Sequence, residues 1–418
     1  MLADTAPLAN TPFRRLWTAN IVTVIGAQLT VVAVPAQIYE ITGSSAYVGL
    51  TGIFGLVPLV VFGLWGGALA DVFDRRTLLR ATTIGLIVTS AGFWLQAALG
   101  LGDVWVLLSL FAVQQAFFAV NQPTRSAVLP RLVPLEQLPA ANALNTTVMQ
   151  AGAIAGPLVG GALIPVLGYS VLYLVDTITL FATLWAVVML PAMPIEGSLG
   201  AAPGIRAVLD GFGYLKGHPL LLMSFVVDII AMVFGMPRAL FPEVAHQSFH
   251  GPSEGGLAFA LLFAGIPAGA VLGGIFSGWI SRVRRQGLAV VSCIVVWGIA
   301  MAAFGGAVGL APQARGLMLW TAVLCLVVGG AADTASSSFR NSMLMSAATD
   351  AVRGRLQGVF IVVVAGGPRI ADVVHGAGAA AIGTALTSAI GGVLVIVLVL
   401  AATAAVPTFL HYRAGDDG

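Results

Sequence analysis

Three ionisable residues, Arg369, Asp372 and His375, fall three apart inside one apolar run near 355–383. At helical spacing they share one side of a helix. A charge held at the centre of a bilayer costs about 3 kcal/mol or more, so such residues mark ion or substrate paths by default. Arg369 and Asp372 are spaced to form an ion pair that a proton or a charged substrate would break, and His375 could pass that proton on. Asp372 is therefore expected to be the most consequential acid of the second half. Two further acids, Asp228 and Asp333, stand in other apolar runs. Either could carry a proton. The alternatives are that Asp228 pairs with an arginine of a neighbouring helix and that Asp333 caps a break before Ser336, Ser337 and Ser338. Asp176 lies nearer the end of its run and reads as solvated.

Other chemistry is not encoded. There is no H-E-x-x-H, no G-x-S-x-G, no glycine-rich phosphate loop and no pair of intramembrane aspartates at protease spacing. The two cysteines, Cys293 and Cys325, sit in apolar runs with neither metal nor disulfide spacing. No metal and no cofactor are expected, and the chain reads as a non-enzyme. A net charge of +2 without a basic-aromatic patch argues against nucleic acid as a partner.

The elements that must position these residues follow from composition. Of 418 residues, 58% are hydrophobic and only 9% charged, with a mean hydropathy of +0.98. An ordinary soluble domain carries about 25% charged residues. A helix of roughly 20 apolar residues crosses a bilayer. Apolar runs near 17–39, 46–70, 77–100, 104–129, 140–164 and 169–191 predict six spans. Six more lie near 219–242, 256–280, 286–308, 315–342, 355–383 and 386–410. The division is 1–191, a linker at 192–218, and 219–418. In the linker, Ile205, Val208, Leu209, Phe212 and Leu215 recur at helical spacing beside Arg206, Asp210 and Lys216, which predicts an amphipathic surface helix. With the N-terminus inside, every Lys and Arg except Arg238, Arg315 and Arg369 falls on the inner face, so both termini are expected to be cytoplasmic.

The halves repeat. Gly66–Arg75 precedes its degenerate copy Gly273–Arg282 by 207 positions, and Arg125–Leu129 precedes Arg340–Leu344 by 215. Under the second offset Asp372 stands where the first half has Pro157, and His375 where it has Gly160. Two parallel six-span repeats are the architecture of a secondary transporter.

The stretch Gly67-Ala68-Leu69-Ala70-Asp71-Val72-Phe73-Asp74-Arg75-Arg76 resembles the loop signature of the major facilitator superfamily, with Asp74 where that family usually has glycine. Gly152-Ala153-Ile154-Ala155-Gly156-Pro157-Leu158-Val159-Gly160-Gly161 resembles the antiporter signature of the same superfamily. Its glycines fall four apart on one face, and Pro157 permits a bend. Val32–Ile38, Val48–Leu50, Ala70–Arg75 and Gly354–Gly358 are similar to the enterobactin-exporter branch, whose relatives also export drugs.

The resemblance implies an all-α membrane protein of twelve helices, as two six-helix pseudo-repeats around a central cavity. It implies a loop of Gly67, Asp71, Arg75 and Arg76 that latches one conformational state. It implies an exporter bend at Gly152, Gly156, Pro157, Gly160 and Gly161. Gln28, Gln37, Gln114, Gln115, Asn121, Asn145 and Gln150 resemble cavity contacts. Proton coupling would fall to Asp372, Arg369, His375, Asp228 and Asp333, since the superfamily's fourth-span arginine motif is not recognisable. The expectation is a monomeric exporter of a siderophore or amphiphilic drug in a bacterial inner membrane, driven by a proton gradient. A reporter fused at Gly418 and one inserted within 192–218 should both report a cytoplasmic location; an external signal from either would overturn the topology.

Overall fold

The computed structural model of the chain describes the backbone of residues 4–191, 213, 215, 217–347 and 350–413. It describes their side chains except 64–72, 345–347, 350–362, 364 and 365. Most of the amphipathic linker helix and the side chains of Gly354–Gly358, Gly67 and Asp71 lie outside the described residues. The principal helices are α1 (Thr11–Thr42), α2 (Ser45–Val72), α3 (Arg75–Ala98), α4 (Val104–Leu132), α5 (Leu138–Val188), α6 (Pro219–Gly235), α7 (Leu257–Ile275), α8 (Gln286–Gly309), α9 (Arg315–Ala347), α10 (Asp350–Ile382) and α11 (Thr384–Ala405). Among the described residues the only strand-like pairing is an isolated bridge between Arg285 and Arg413.

Among the described residues, ten helical stretches are long and apolar enough to cross a membrane. One of them, α5, has 51 residues, which at 1.5 Å per residue is about 77 Å, more than twice a hydrocarbon core. Gly168 breaks it with φ 71° and ψ 166°, a conformation that only glycine adopts without strain. The rod therefore crosses twice. With the 33-residue helix α10 added, the helices are consistent with the expected twelve-span pseudo-repeat.

The chain packs as two units. The first comprises Met1–Thr42 and Phe54–Gly204, and the second Gly43–Ile53 and Ile205–Gly418. The opening turns of α2 thus belong by packing to the second unit, although they are contiguous with a first-half helix.

In the first unit α1 packs along α5, which also contacts α3. The glycines of the predicted antiporter signature make the α1–α5 approach possible. A Cβ at Gly160 would lie 3.0 Å from Leu29 and 3.2 Å from Val32, and one at Gly156 would overlap the Gln28 side chain. Gly152, Gly156, Pro157, Gly160 and Gly161 are all buried. Farther along, α1, α3 and the part of α5 after Gly168 are joined by polar groups. Tyr173 Oη donates to Gln37 Oε1 at 2.9 Å, and Gln37 and Gln96 exchange amide hydrogen bonds at 3.0 and 3.3 Å. Thr30 and Ser90 hydroxyls donate to Asp176 Oδ2 at 2.7 and 2.9 Å. Asp176 is 1% exposed, so the expected solvated acid is buried and held by two neighbouring helices instead. Each such interhelical bond is worth only about 0.6 kcal/mol. Leaving these groups unpaired in hydrocarbon would cost several kcal/mol each, so their main effect is to fix the register of the three helices.

In the second unit α8 lies against α9 and α11, α7 against α9, and α6 against α10 and α11. Trp297, Phe304, Phe241 and Phe259 are fully buried there. Phe241 meets Phe263 and Phe304 edge-on, at ring-centroid distances of 5.2 and 6.0 Å. Substituting Gly156→Val should lower the melting temperature in detergent by several degrees, because the side chain has no room against Gln28. Gly274→Ala, at a position with nothing within 4 Å, should leave it unchanged. A neutral Gly156→Val would refute the close-packed groove.

Candidate functional site

Charged groups gather in two places in the second unit. The first joins α6 to α9. Asp228 is 1% exposed and forms an ion pair with Arg340, itself 6% exposed. Arg340 Nη2 also lies 3.9 Å from Asp333 Oδ1. One guanidinium thus serves two carboxylates, which leaves a negative charge in excess in a medium that screens poorly. Asp228 finds the neighbouring helix's arginine that the sequence left open. Arg340 was expected among the inner-face charges; it is buried beside Asp228 instead. Asp333 caps no break, because α9 runs on past Ser336, Ser337 and Ser338 without interruption.

The second cluster lies on α10. Asp372 and His375 are 3% and 2% exposed and Arg369 is half-buried, as their spacing predicted for one helix side. Two guanidinium groups act electrostatically on the Asp372 carboxylate, Arg238 more strongly than Arg369. Arg238 comes from a short turn, Arg238–Leu240, that follows α6 and contacts α10. Periodicity could not reveal it, since Arg238 sits on a turn after the helix has ended and shares no helix face with Asp372. His375 does not pair with Asp372. Its Nδ1 is 3.0 Å from the Ala371 carbonyl one turn back, and a second backbone hydrogen bond reaches Phe234 of α6. The expected relay from Asp372 to His375 is therefore not a direct contact.

The opening turns of α2 lie over this cluster. A Cβ at Gly49 would fall 2.6 Å from the Asp372 carbonyl oxygen, and one at Gly376 would fall 2.6 Å from the Ser45 carbonyl oxygen. The two backbones touch only because neither residue has a side chain. Glu243 Oε2 accepts from the Ser45 backbone N–H at 3.2 Å, placing a carboxylate at the positive end of α2.

In the first unit, Asp74 N-caps α3 and accepts from the Thr77 N–H at 2.8 Å. Its φ of −52° explains why a non-glycine residue fits the signature here. Arg75 donates to the Ala127 carbonyl at 3.3 Å. Arg76 and Arg80 donate to the carbonyl of Val188, at the negative end of α5. Of the predicted cavity residues, Gln37 is spent on Gln96 and Tyr173, and Asn121 donates to Thr82 and Thr83 at 2.8 and 3.4 Å. Gln28 lies over Gly156. Gln114, Gln115 and Asn145 are half-buried and Gln150 is exposed. The partnership of Gln37 with Gln96 and Tyr173 escaped the sequence reading because single polar residues on separate helices carry no shared period. Among the described residues no group of three or more His, Cys, Asp or Glu side chains could hold a metal.

This fold is that of the major facilitator transporters. A crystal structure of the peptide transporter POT with sulfate superposes with a TM-score of 0.77 at 13% identity, covering 96% of each chain. The nucleoside transporter NupG does so with a TM-score of 0.70 at 14% identity, covering 96% of this chain and all of that one. A bacterial homologue of the iron transporter ferroportin also matches, with a TM-score of 0.70 at 12% identity, covering 96% and 99% of the two chains. The chain belongs to the transmembrane secretion effector family, whose profile matches residues 2–412. It is similar to the enterobactin exporter EntS of Shigella boydii serotype 18, at 29% identity over 93% of this chain and 90% of that one. The exporter of Escherichia coli O81 matches at 28% over the same share of each chain. The protein is a multi-pass membrane transporter of the major facilitator type, not an enzyme.

Arg340→Leu should cost about 3–5 kcal/mol of stability by stranding the buried Asp228 carboxylate, whereas the double variant Asp228→Ala with Arg340→Leu should recover part of the loss. Thermal unfolding in detergent measures both. Equal and additive losses would show that the two side chains do not act as a pair.

Proposed function

We propose that the protein exports a small organic molecule, of the siderophore or amphiphilic drug class, from the cytoplasm in exchange for protons. End-to-end similarity to enterobactin exporters is the observation that carries the export reading. The antiporter-type glycine groove between α1 and α5 supports it. In this reading the protein is a monomer in a bacterial inner membrane, with both termini cytoplasmic and the proton gradient as its energy source. The two pseudo-repeats rock about a central cavity lined by groups such as Gln28, Gln114, Gln115, Asn145 and Gln150. The loop of Gly67, Asp71, Arg75 and Arg76 biases the two states rather than touching substrate.

Coupling rests on the second-half charges. The Asp228–Arg340–Asp333 cluster has a carboxylate without a cation of its own, and a proton from outside supplies the missing charge. Asp372 differs, because Arg238 and Arg369 already act on its carboxylate. Its role is to hold those two guanidiniums beneath the opening turns of α2, with His375 tying α10 to α6. Substrate release follows when the proton arrives, because the protonated carboxylate gives up its share of Arg340 and shifts the equilibrium between the two states.

Reconstitution in liposomes with enterobactin as the trial substrate tests the reading. An imposed pH difference should drive wild-type export. Asp333→Asn should still exchange substrate down its own gradient but ignore the pH difference. Wild-type transport that is indifferent to pH would identify a facilitator or importer and overturn the proton-driven exporter.

A further inference from the structure

The second unit also contains an apolar groove of about 400 Å³ formed by α7, α8 and α9 and the turn Ser277–Arg282. Phe276, Trp279, Cys293, Val296, Val328 and Ala332 line it. Its walls are fixed from within: the Trp279 ring packs on buried Phe339, with ring centroids 5.7 Å apart. Its mouth is open, since Phe276 is 71% and Trp279 46% exposed. A space of this size lined by apolar groups offers ordered water too few partners. An open apolar space of this size suits an acyl chain.

The charge beside it selects which lipid. Arg282 ends the turn that carries Trp279, and Arg284 and Arg285 follow at once. All three are exposed, and among the described residues none is within ion-pair distance of a carboxylate. The Arg285–Arg413 bridge brings a fourth exposed arginine to the same place. Arg285 caps α8, and Cys293 lies eight residues along that helix, about 12 Å by helical rise. A lipid phosphate at the arginines would place its chain at the groove, given the depth of the headgroup layer. Basic clusters at the end of a cleft between transmembrane helices suit anionic headgroups.

We propose that this groove is a binding site for an anionic phospholipid, with one acyl chain between α7, α8 and α9 and the phosphate held by Arg282, Arg284 and Arg285. The site lies within one unit and is independent of the transport reading. It offers a means by which membrane composition could act on the second-half helices.

Delipidated full-length protein, titrated with phosphatidylglycerol or phosphatidylcholine of equal chain length and read by native mass spectrometry, tests this. The wild type should retain phosphatidylglycerol at least tenfold more strongly. The triple variant Arg282→Gln, Arg284→Gln, Arg285→Gln should lose that preference but still bind both lipids weakly. Ser292→Trp, which fills the groove from α8, should weaken both. Arg315→Gln, an exposed arginine remote in sequence, should behave as wild type. Glycerol phosphate without acyl chains should not compete; if it does, the site is one for free phosphate esters and the lipid assignment fails. Equal retention of the two lipids by the wild type, or an undiminished preference in the triple variant, would also overturn the proposal. Near-ultraviolet circular dichroism of each variant confirms that the fold is intact, so loss of preference cannot be mistaken for unfolding.

Discussion

Hydrocarbon offers polar groups neither hydrogen bonds nor screening, and this governs where each one sits in the protein. Every backbone amide that crosses must be satisfied within its own helix, which is why the described chain is helical almost throughout. The same rule reaches the side chains. Asp176 takes two hydroxyl donors, Gln37 exchanges bonds with Gln96, and Asp228 takes Arg340. These contacts add little stability singly, but the cost of losing a partner makes each a strict constraint on helix register.

The two pseudo-repeats meet that constraint differently. The first unit relies on neutral amides and hydroxyls around one acid, together with a glycine groove that lets α1 and α5 close up. The second unit instead buries charged groups: two carboxylates around Arg340, and Asp372 under the influence of Arg238 and Arg369. Charges that do not cancel locally can be balanced by a proton or by the charge of a substrate. That asymmetry between duplicated halves is the physical basis for placing coupling in the second.

Much of this was legible in the sequence, for identifiable reasons. The twelve crossings follow from run length alone, and the break at Gly168 falls where a long apolar run had to turn. The groove at Gly152, Gly156 and Gly160 follows from a spacing of four on one helix. Local spacing also placed Asp372 and His375 on one buried side, yet it could not supply their partners. Arg238 lies on a turn, and Phe234 contributes a backbone carbonyl that every residue possesses. Arg340 was misplaced because its position near the end of an apolar run looks the same as that of a loop arginine. The membership of residues 43–53 in the second unit was hidden for the same reason, since packing between distant segments leaves no local period.

The central claim is that the carboxylate left over in the Asp228–Arg340–Asp333 cluster holds the coupling proton. The most direct measurement is proton exchange on substrate binding, followed with a pH indicator in weakly buffered detergent solution. The account predicts that wild-type protein exchanges protons with the medium as substrate binds, that Asp333→Asn binds without exchange, and that Asp372→Asn still exchanges. Proton exchange undiminished in Asp333→Asn, or confined to Asp372, would contradict it.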